Sequence, residues 1–268
     1  MKIAFIGGGN MGEAIIGALL EKNICRPGDI SVSDISEPRR DYLKKKYGIN
    51  VTADNKEAVK DKDVIVLAVK PQNIDEVLAG LKGHLKPEQL VLSIAAGVKI
   101  STITDGLGHR NVVRSMPNTP AQIGLGVSGW TATAEVTEEQ KDRARTVLGA
   151  MGKEIYFGDE DYLDMVTAVS GSGPAYVYLF AESLIDAAVG LGLAKHDAEV
   201  LVLQTMLGAA NLMQKSDKPP AELRRNVTSK GGTTERALQV FQESDLAGIV
   251  GRAVKAACLR AKELGKKD

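Results

Sequence analysis

Up to about residue 160 the apolar residues fall into two alternating rhythms. Residues 3–6 (Ile3, Ala4, Phe5, Ile6) are a continuous apolar run too short for a helix, the pattern of a strand buried on both faces of a parallel sheet. Residues 11–20 then space their apolar positions as a helix does and end in charge at Glu21 and Lys22. The pair recurs. A strand at 30–33 leads into a charged helix through Arg39, Arg40, Lys44 and Lys45, and further strands are predicted at 64–69 and 90–95. Strands alternating with helices imply right-handed crossovers and an α/β fold with a Rossmann-type, doubly wound, mostly parallel sheet. Residues 112–116, 126–130 and 155–157 predict more strands, with a charged helix over 137–151 before the last.

Beyond residue 158 the strand signals stop and helices follow one another to the carboxyl terminus. Pro174 stands at a first-turn position ahead of a helix over 175–191, and a second helix covers 197–213. Pro219 and Pro220 open a third, and helices over 234–242 and 246–264 complete the run. The pattern therefore divides the chain into a dinucleotide-binding domain, 1–158, and an all-helical domain, 159–268. The helix over 175–191 is apolar nearly all round (Val177, Leu179, Phe180, Leu184, Ile185, Val189), so it has no face to give to solvent. Burial against a second copy is the natural remedy, and a homo-oligomer is expected.

Composition narrows the partners. The 34 basic and 34 acidic residues cancel, which argues against nucleic acid or an anionic membrane surface, since both select for basic excess. No apolar stretch approaches the roughly 18 residues of a membrane span. The run at 3–6 is cut by Gly7, Gly8 and Gly9, too early for a signal-peptide core, so a cytoplasmic location is expected. Cys25 and Cys258 have no metal-ligand spacing, no metal site is expected, and both read as small buried hydrophobes in a reducing compartment.

Candidate chemistry begins directly after the first strand. Gly7, Gly9 and Gly12 make a Gly-x-Gly-x-x-Gly turn that opens the first helix. The first glycine permits the tight turn, the second lets backbone approach a pyrophosphate, and the third lets helix and strand pack closely. Asp34, 22 positions beyond Gly12 and just past the second strand, is placed to accept from ribose hydroxyls, which favours NAD. Ser33, Ser36, Arg39 and Arg40 surround it, and hydroxyls with arginines suit the 2′-phosphate of NADP, unless the arginines are only a solvated helix face. Cofactor choice stays open between the two. The segments after the later strands, Val69-Lys70-Pro71, Ala95-Ala96-Gly97 and Met116-Pro117-Asn118-Thr119-Pro120, fall on the same sheet edge and suit a closely held nicotinamide ring.

No proton donor of the usual kind is evident. His84, His109 and His196 sit in polar surroundings, and surface placement is expected for all three. Reducing a carbonyl needs an acid for the developing alkoxide, whereas an imine nitrogen can already carry its proton, so hydride transfer discharges a cation. Orientation and a hydrogen bond to nitrogen then suffice. Two runs of hydroxyls and glycines offer such a cradle at a helix start: Ser170 to Pro174, and Thr228 to Thr234.

These motifs together resemble the pyrroline-5-carboxylate reductase family along essentially the whole chain. The similarity includes Phe5 through Gly12, Ala68 to Pro71, Ala95 to Val98, Met116 to Pro120 and Ser170 to Tyr176. Most specific is the stretch with Pro220, Leu223, Val227-Thr228-Ser229, Gly231-Gly232, Thr234, Ala237-Leu238 and Phe241-Gln242. One departure is Lys230, where members usually carry proline. The resemblance implies reduction of 1-pyrroline-5-carboxylate to L-proline, the last step of proline biosynthesis, with NADPH or NADH. It implies that Gly7, Gly8, Gly9, Asn10, Met11 and Gly12 hold the pyrophosphate, and that Ser33 and Asp34 meet the adenosine ribose. Asn55, Ala68, Val69, Lys70 and Pro71 would line the cofactor, with Ala95 and Gly97 beside them. Ser229, Gly231, Gly232 and Thr233 would hold the substrate carboxylate, and Thr234 would hydrogen-bond the ring nitrogen as the catalytic residue. Helical domains that interlock as dimers, and decamers built from dimers, are further implications. Two other readings share the outline. A β-hydroxyacid dehydrogenase would need a helical-domain lysine after Ser170 to Pro174, which is not found, and a cofactor-sensing binding protein would have a broken substrate loop.

Overall fold

The computed structural model describes residues 1–265 and contains two compact units, Met1–Ser172 together with the stretch from Ala257, and Gly173–Ala256. The first unit carries the sheet. Strands β1 (Ile3–Ile6), β2 (Ile30–Ser33), β3 (Asn50–Thr52), β4 (Val64–Leu67), β5 (Leu90–Ser93), β6 (Val112–Met116), β7 (Gly126–Ala132) and β8 (Gly152–Tyr156) lie in the order β3-β2-β1-β4-β5-β6-β7-β8. The pairs through β6 are parallel, β7 runs antiparallel to β6, and β8 is parallel to β7. The doubly wound, mostly parallel sheet expected from the pattern is therefore present. Its order reverses direction between β1 and β4, the switch point where such sheets take ligands.

Strands β1 and β4, and β5 up to Ser93, read as continuous apolar runs because every residue in them is buried, on alternating faces. Ile3, Phe5, Val64 and Val66 enter one core with Ile15, Ile16 and Leu19 of α1 (Asn10–Glu21) and with Val147 and Leu148 of α6 (Glu138–Ala150). Ala4, Ile6, Ile65 and Leu67 enter the other, against Ile74, Val77, Leu78 and Leu81 of α4 (Ile74–Leu81) and Ile103 of α5 (Ile100–Leu107). Each of the Ile, Leu, Val and Phe side chains contributes about 1.5–3 kcal/mol by leaving water, so both faces are committed. The crossovers are completed by α2 (Glu37–Tyr47) and α3 (Asn55–Val59), and α7 (Tyr162–Val166) follows the sheet. Local caps fix the starts. Thr137 and Gln140 form a reciprocal capping box at α6, and the Asp54 carboxylate accepts from the Lys56 amide at α3.

The pattern missed β3, a three-residue strand whose exposed Asn50 gives it little apolar signal. It ran β4 and β5 two residues too far, because Ala68 and Ala95 are already turning at the sheet edge, the Ala95 amide donating to Ser93 Oγ at 3.3 Å. The last strand begins earlier than expected, at Gly152, whose φ of +140° brings its backbone against Gly126. His109 is also a correction: it is buried, with Nε2 at 2.7 Å from the Gln89 carbonyl oxygen, while His84 and His196 are exposed. Nothing in the local sequence marks that partner. Cys25 is buried, which pushes its thiol up, and Cys258 is half-buried.

The second unit holds α8 (Gly173–Gly190), α9 (Lys195–Lys215), α10 (Pro220–Asn226), α11 (Thr233–Glu243) and the start of α12 (Leu246–Leu264). These are the helices the spacing predicts, each within a few residues of its expected ends. No helix among the described residues is long and apolar enough to cross a membrane.

Candidate active site

The dinucleotide turn is built as its glycines require. Gly7 leaves β1 at φ +98°, and a Cβ there would stand 2.8 Å from the Ala68 carbonyl oxygen. A Cβ on Gly12 would stand 2.8 Å from the Gly7 carbonyl oxygen, whereas one on Gly9 would meet nothing within 4 Å. Two positions are closed by backbone and the middle one is open, as a loop that lets a pyrophosphate approach must be. Gly9 is the N-cap of α1, so the amides of Asn10, Met11 and Gly12 have no partner in their own helix and lie at its positive end. Gly7→Ala is expected to cost about 1–3 kcal/mol in backbone strain alone and to weaken cofactor binding strongly. A thermal melt and a cofactor titration on the same variant check it, and an unchanged dissociation constant would count against the loop as the cofactor site.

The residues expected at the ribose assemble beside it. Asp34 accepts through Oδ2 from the Gly8 amide at 2.8 Å and through Oδ1 from the Ser36 amide at 2.9 Å. The Ser33 hydroxyl donates to Asn55 Oδ1 at 2.5 Å, joining β2 to the start of α3. On the other side of β1, Ala68 keeps its amide on the Ile6 carbonyl at 2.8 Å, and Pro71 turns the chain after Val69 and Lys70. Gly97, at φ +72°, turns the segment after Ala95. Ser33, Asp34, Asn55, the glycine turn, Ala68 to Pro71 and Ala95 to Gly97 thus share the carboxyl edge of neighbouring parallel strands.

The two arginines beside Asp34 are engaged by protein. Arg39 donates through Nε to the Gly8 carbonyl at 2.5 Å and through an Nη to the Glu13 carboxylate. Arg40 donates to the carbonyls of Asp34 and Ile35, at 2.7 and 3.2 Å. The solvated helix face considered from sequence does not describe either one. Sequence reasoning also missed Arg114 on β6, which is buried and donates to Glu160 Oε1 at 2.7 Å. The same oxygen accepts from the Ile100 amide at 2.8 Å, at the start of α5 just beyond Gly97. The signal was available, because a charge between Val113 and Ser115 in a buried strand demands a partner.

The residues expected to hold substrate lie in the second unit. Gly231, at φ +73°, and Gly232 lead into α11, with Gly232 as N-cap and Thr233 and Thr234 in its first turn. The Gly232 amide donates to the Ser229 carbonyl at 3.0 Å, and a Cβ on Gly232 would stand 2.5 Å from Ser229 Oγ. No side chain caps this helix start, which leaves first-turn amides beside three hydroxyls. The Gly231 amide is taken by Glu235 Oε2 at 2.7 Å, and Lys230 is exposed. The other expected cradle is overturned. Thr167–Gly171 wind as a π-helical turn and the Ser172 amide donates to the Thr167 carbonyl at 2.8 Å, so this segment is not an open helix start. Ser170 bonds back to the Val166 carbonyl at 3.1 Å.

A family model described as pyrroline-5-carboxylate reductase dimerisation matches residues 160–264, and one described as NADP oxidoreductase, coenzyme F420-dependent, matches 2–97. A pyrroline-5-carboxylate reductase of Pseudomonas aeruginosa is 45% identical over 266 residues, covering 99% of this chain and 97% of that protein. The chain belongs to the pyrroline-5-carboxylate reductase family. Solved members of the family share the whole fold. The reductase of Coxiella burnetii superposes with a TM-score of 0.93 at 41% identity, covering 99% of each chain. That of Plasmodium falciparum, solved with NADP bound, gives 0.89 at 34% identity over 99% of this chain and 98% of its own. Family membership makes the chain an NAD(P)-dependent oxidoreductase of proline biosynthesis, and the helical part matches a dimerisation model.

Proposed function

We propose that this chain reduces 1-pyrroline-5-carboxylate to L-proline with the residue roles set out here. What carries the reading is the occurrence, in one chain 45% identical to a reductase of that name, of the open glycine turn after β1 and the uncapped hydroxyl-rich start of α11. The residues fit a nicotinamide dinucleotide: backbone closes the turn at Gly7 and Gly12, leaves it open at Gly9, and aims first-turn amides at an anion. When bound, the reduced cofactor supplies a hydride to the imine carbon.

The chain's own groups do the rest. Gly7 to Gly12 bind the pyrophosphate, Ser33, Asp34 and Asn55 fix the adenosine ribose, and Ala68 to Pro71 with Ala95 and Gly97 border the remainder. Ser229, Gly231, Gly232 and Thr233 hold the substrate carboxylate at the positive end of α11. For the Gly231 amide to take part, Glu235 must release it. Thr234 orients the ring nitrogen, which enters protonated and leaves as the secondary amine, so no acid is needed at the carbon. Both NADPH and NADH are expected to support turnover.

We divide the roles at 1–158 for the cofactor and 159–268 for substrate and self-association. The assembly is a homodimer through the apolar helical domain, from which a decamer can be built, and the enzyme works in the cytoplasm with free Cys25 and Cys258. Following reduced-nicotinamide absorbance and proline formation with 1-pyrroline-5-carboxylate tests the reading. Equal amounts of proline made and cofactor oxidised support it; no oxidation above blank with either cofactor overturns it.

A further inference from the structure

Gly8 is held on two sides by the segment that follows β2. Its N–H donates to Asp34 at 2.8 Å and its carbonyl accepts from Arg39 Nε at 2.5 Å. Arg39 is held in turn: an Nη reaches the Glu13 carboxylate, and the guanidinium lies 4.9 Å from the centre of the Tyr42 ring. Glu13, the residue after Gly12, also accepts from Tyr42 at 2.9 Å, Lys46 at 2.8 Å and Tyr47 at 3.1 Å. Partial burial by itself would raise the Glu13 carboxyl, but the hydrogen bonds from Lys46, Arg39 and Tyr42 outweigh it and hold the group at about 2. It is ionised throughout the working range of an enzyme.

We propose that Glu13 and Arg39 form a positioning clamp on the dinucleotide loop. In a trans peptide the C=O and N–H point in opposite directions. With the Gly8 carbonyl fixed on Arg39, the Gly9 N–H is turned to the opposite side before any cofactor arrives. The clamp also sets the amino end of α1, because Glu13 belongs to that helix and Arg39 to α2. A loop of three consecutive glycines loses the most conformational entropy on ordering, so an external tie on its middle residue lowers what binding must supply. The assignment rests on the reading of Gly7 to Gly12 as the pyrophosphate site, and it separates Arg39 from recognition of a 2′-phosphate. With Nε on a carbonyl and an Nη on a carboxylate, two of the five Arg39 N–H donors are taken and its charge is already paired with Glu13.

The test compares dissociation constants for NADPH and NADH, by titrating the fluorescence of the reduced nicotinamide, on the full chain and on Arg39→Met, Glu13→Gln and the double variant. Each single change is expected to weaken both cofactors by the same factor, about tenfold, as for a lost charged hydrogen bond. The double variant is expected to be no weaker than Arg39→Met alone, since both act through one contact. Turnover at saturating cofactor and substrate stays within about twofold of the parent by the same argument, because the reacting atoms are untouched. A loss confined to NADPH overturns the clamp in favour of phosphate reading. Strictly additive losses, or a lowered melting temperature with unchanged dissociation constants, also overturn it. If Arg39→Met does not fold, Arg39→Lys keeps a charge for Glu13 yet cannot span both acceptors, and must weaken both cofactors alike. A parent chain that binds neither cofactor overturns the cofactor reading and the clamp together; normal parent binding with unaffected variants overturns the clamp alone.

Discussion

Replacing Thr234 by alanine is expected to lower turnover about a hundredfold, roughly 3 kcal/mol, the usual cost of losing one preorganised group where charge changes in the transition state. The fold around Thr234 makes the experiment clean. Gly232, not Thr234, is the N-cap of α11, and Thr234 is the second helical residue, half-buried in its first turn. Alanine has the higher helix propensity there, so the melting temperature should hold or rise slightly. Cofactor binding at Gly7 to Gly12 should be unchanged. Thr234→Ser keeps the hydroxyl and should keep much of the activity. Steady-state kinetics and a thermal melt on both variants decide the matter: alanine turnover close to that of the parent would remove Thr234 from the mechanism.

Leu179→Asp is expected to abolish self-association and to precipitate much of the protein. Along α8, Val177, Tyr178, Leu179 and Phe180 are 50, 63, 63 and 44% exposed, four large apolar side chains in a row. A monomer does not leave such a surface to water, and the matching dimerisation model covers this helix. Burying an unpaired carboxylate in each copy of a symmetric contact costs about 3–5 kcal/mol per copy, enough to dissociate an ordinary dimer. Leu184, equally apolar in sequence, is half-buried within its own chain and would report on folding instead. Light scattering settles it. A parent protein that is a stable, active monomer refutes the interface, and a Leu179→Asp variant that stays fully dimeric removes Leu179 from it.

The sheet was legible because parallel strands buried on both faces leave apolar runs, unbroken in β1 and β4 and ended only by Ser93 in β5. The helix α4 was not predicted, although Ile74, Val77, Leu78 and Leu81 have helical spacing, because it is only eight residues long. The glycine turn was legible because positions such as Gly7 admit no other residue. What stayed hidden is what depends on pairing across the chain. Nothing near Glu13 indicates that Arg39, 26 positions on, will reach it, or that Glu160 will meet Arg114 and the start of α5. The run Ser170 to Pro174 misled for a related reason: a small, polar, proline-ended segment resembles a helix start until the preceding residues are seen to be wound already.

The packing of Gly97 against the end of α12 bears on how the chain is made. A Cβ on Gly97 would lie 3.3 Å from that of Leu264, and the stretch from Ala257 groups with the first unit. Between these two residues lie 166 others, so about 10–30 s of synthesis at typical ribosomal rates separates the first half of this contact from its second. During that interval the segment after β5 is made without the residue that packs on it. Cutting the gene between the two units would therefore leave the nucleotide-binding half without the stretch from Ala257 that groups with it.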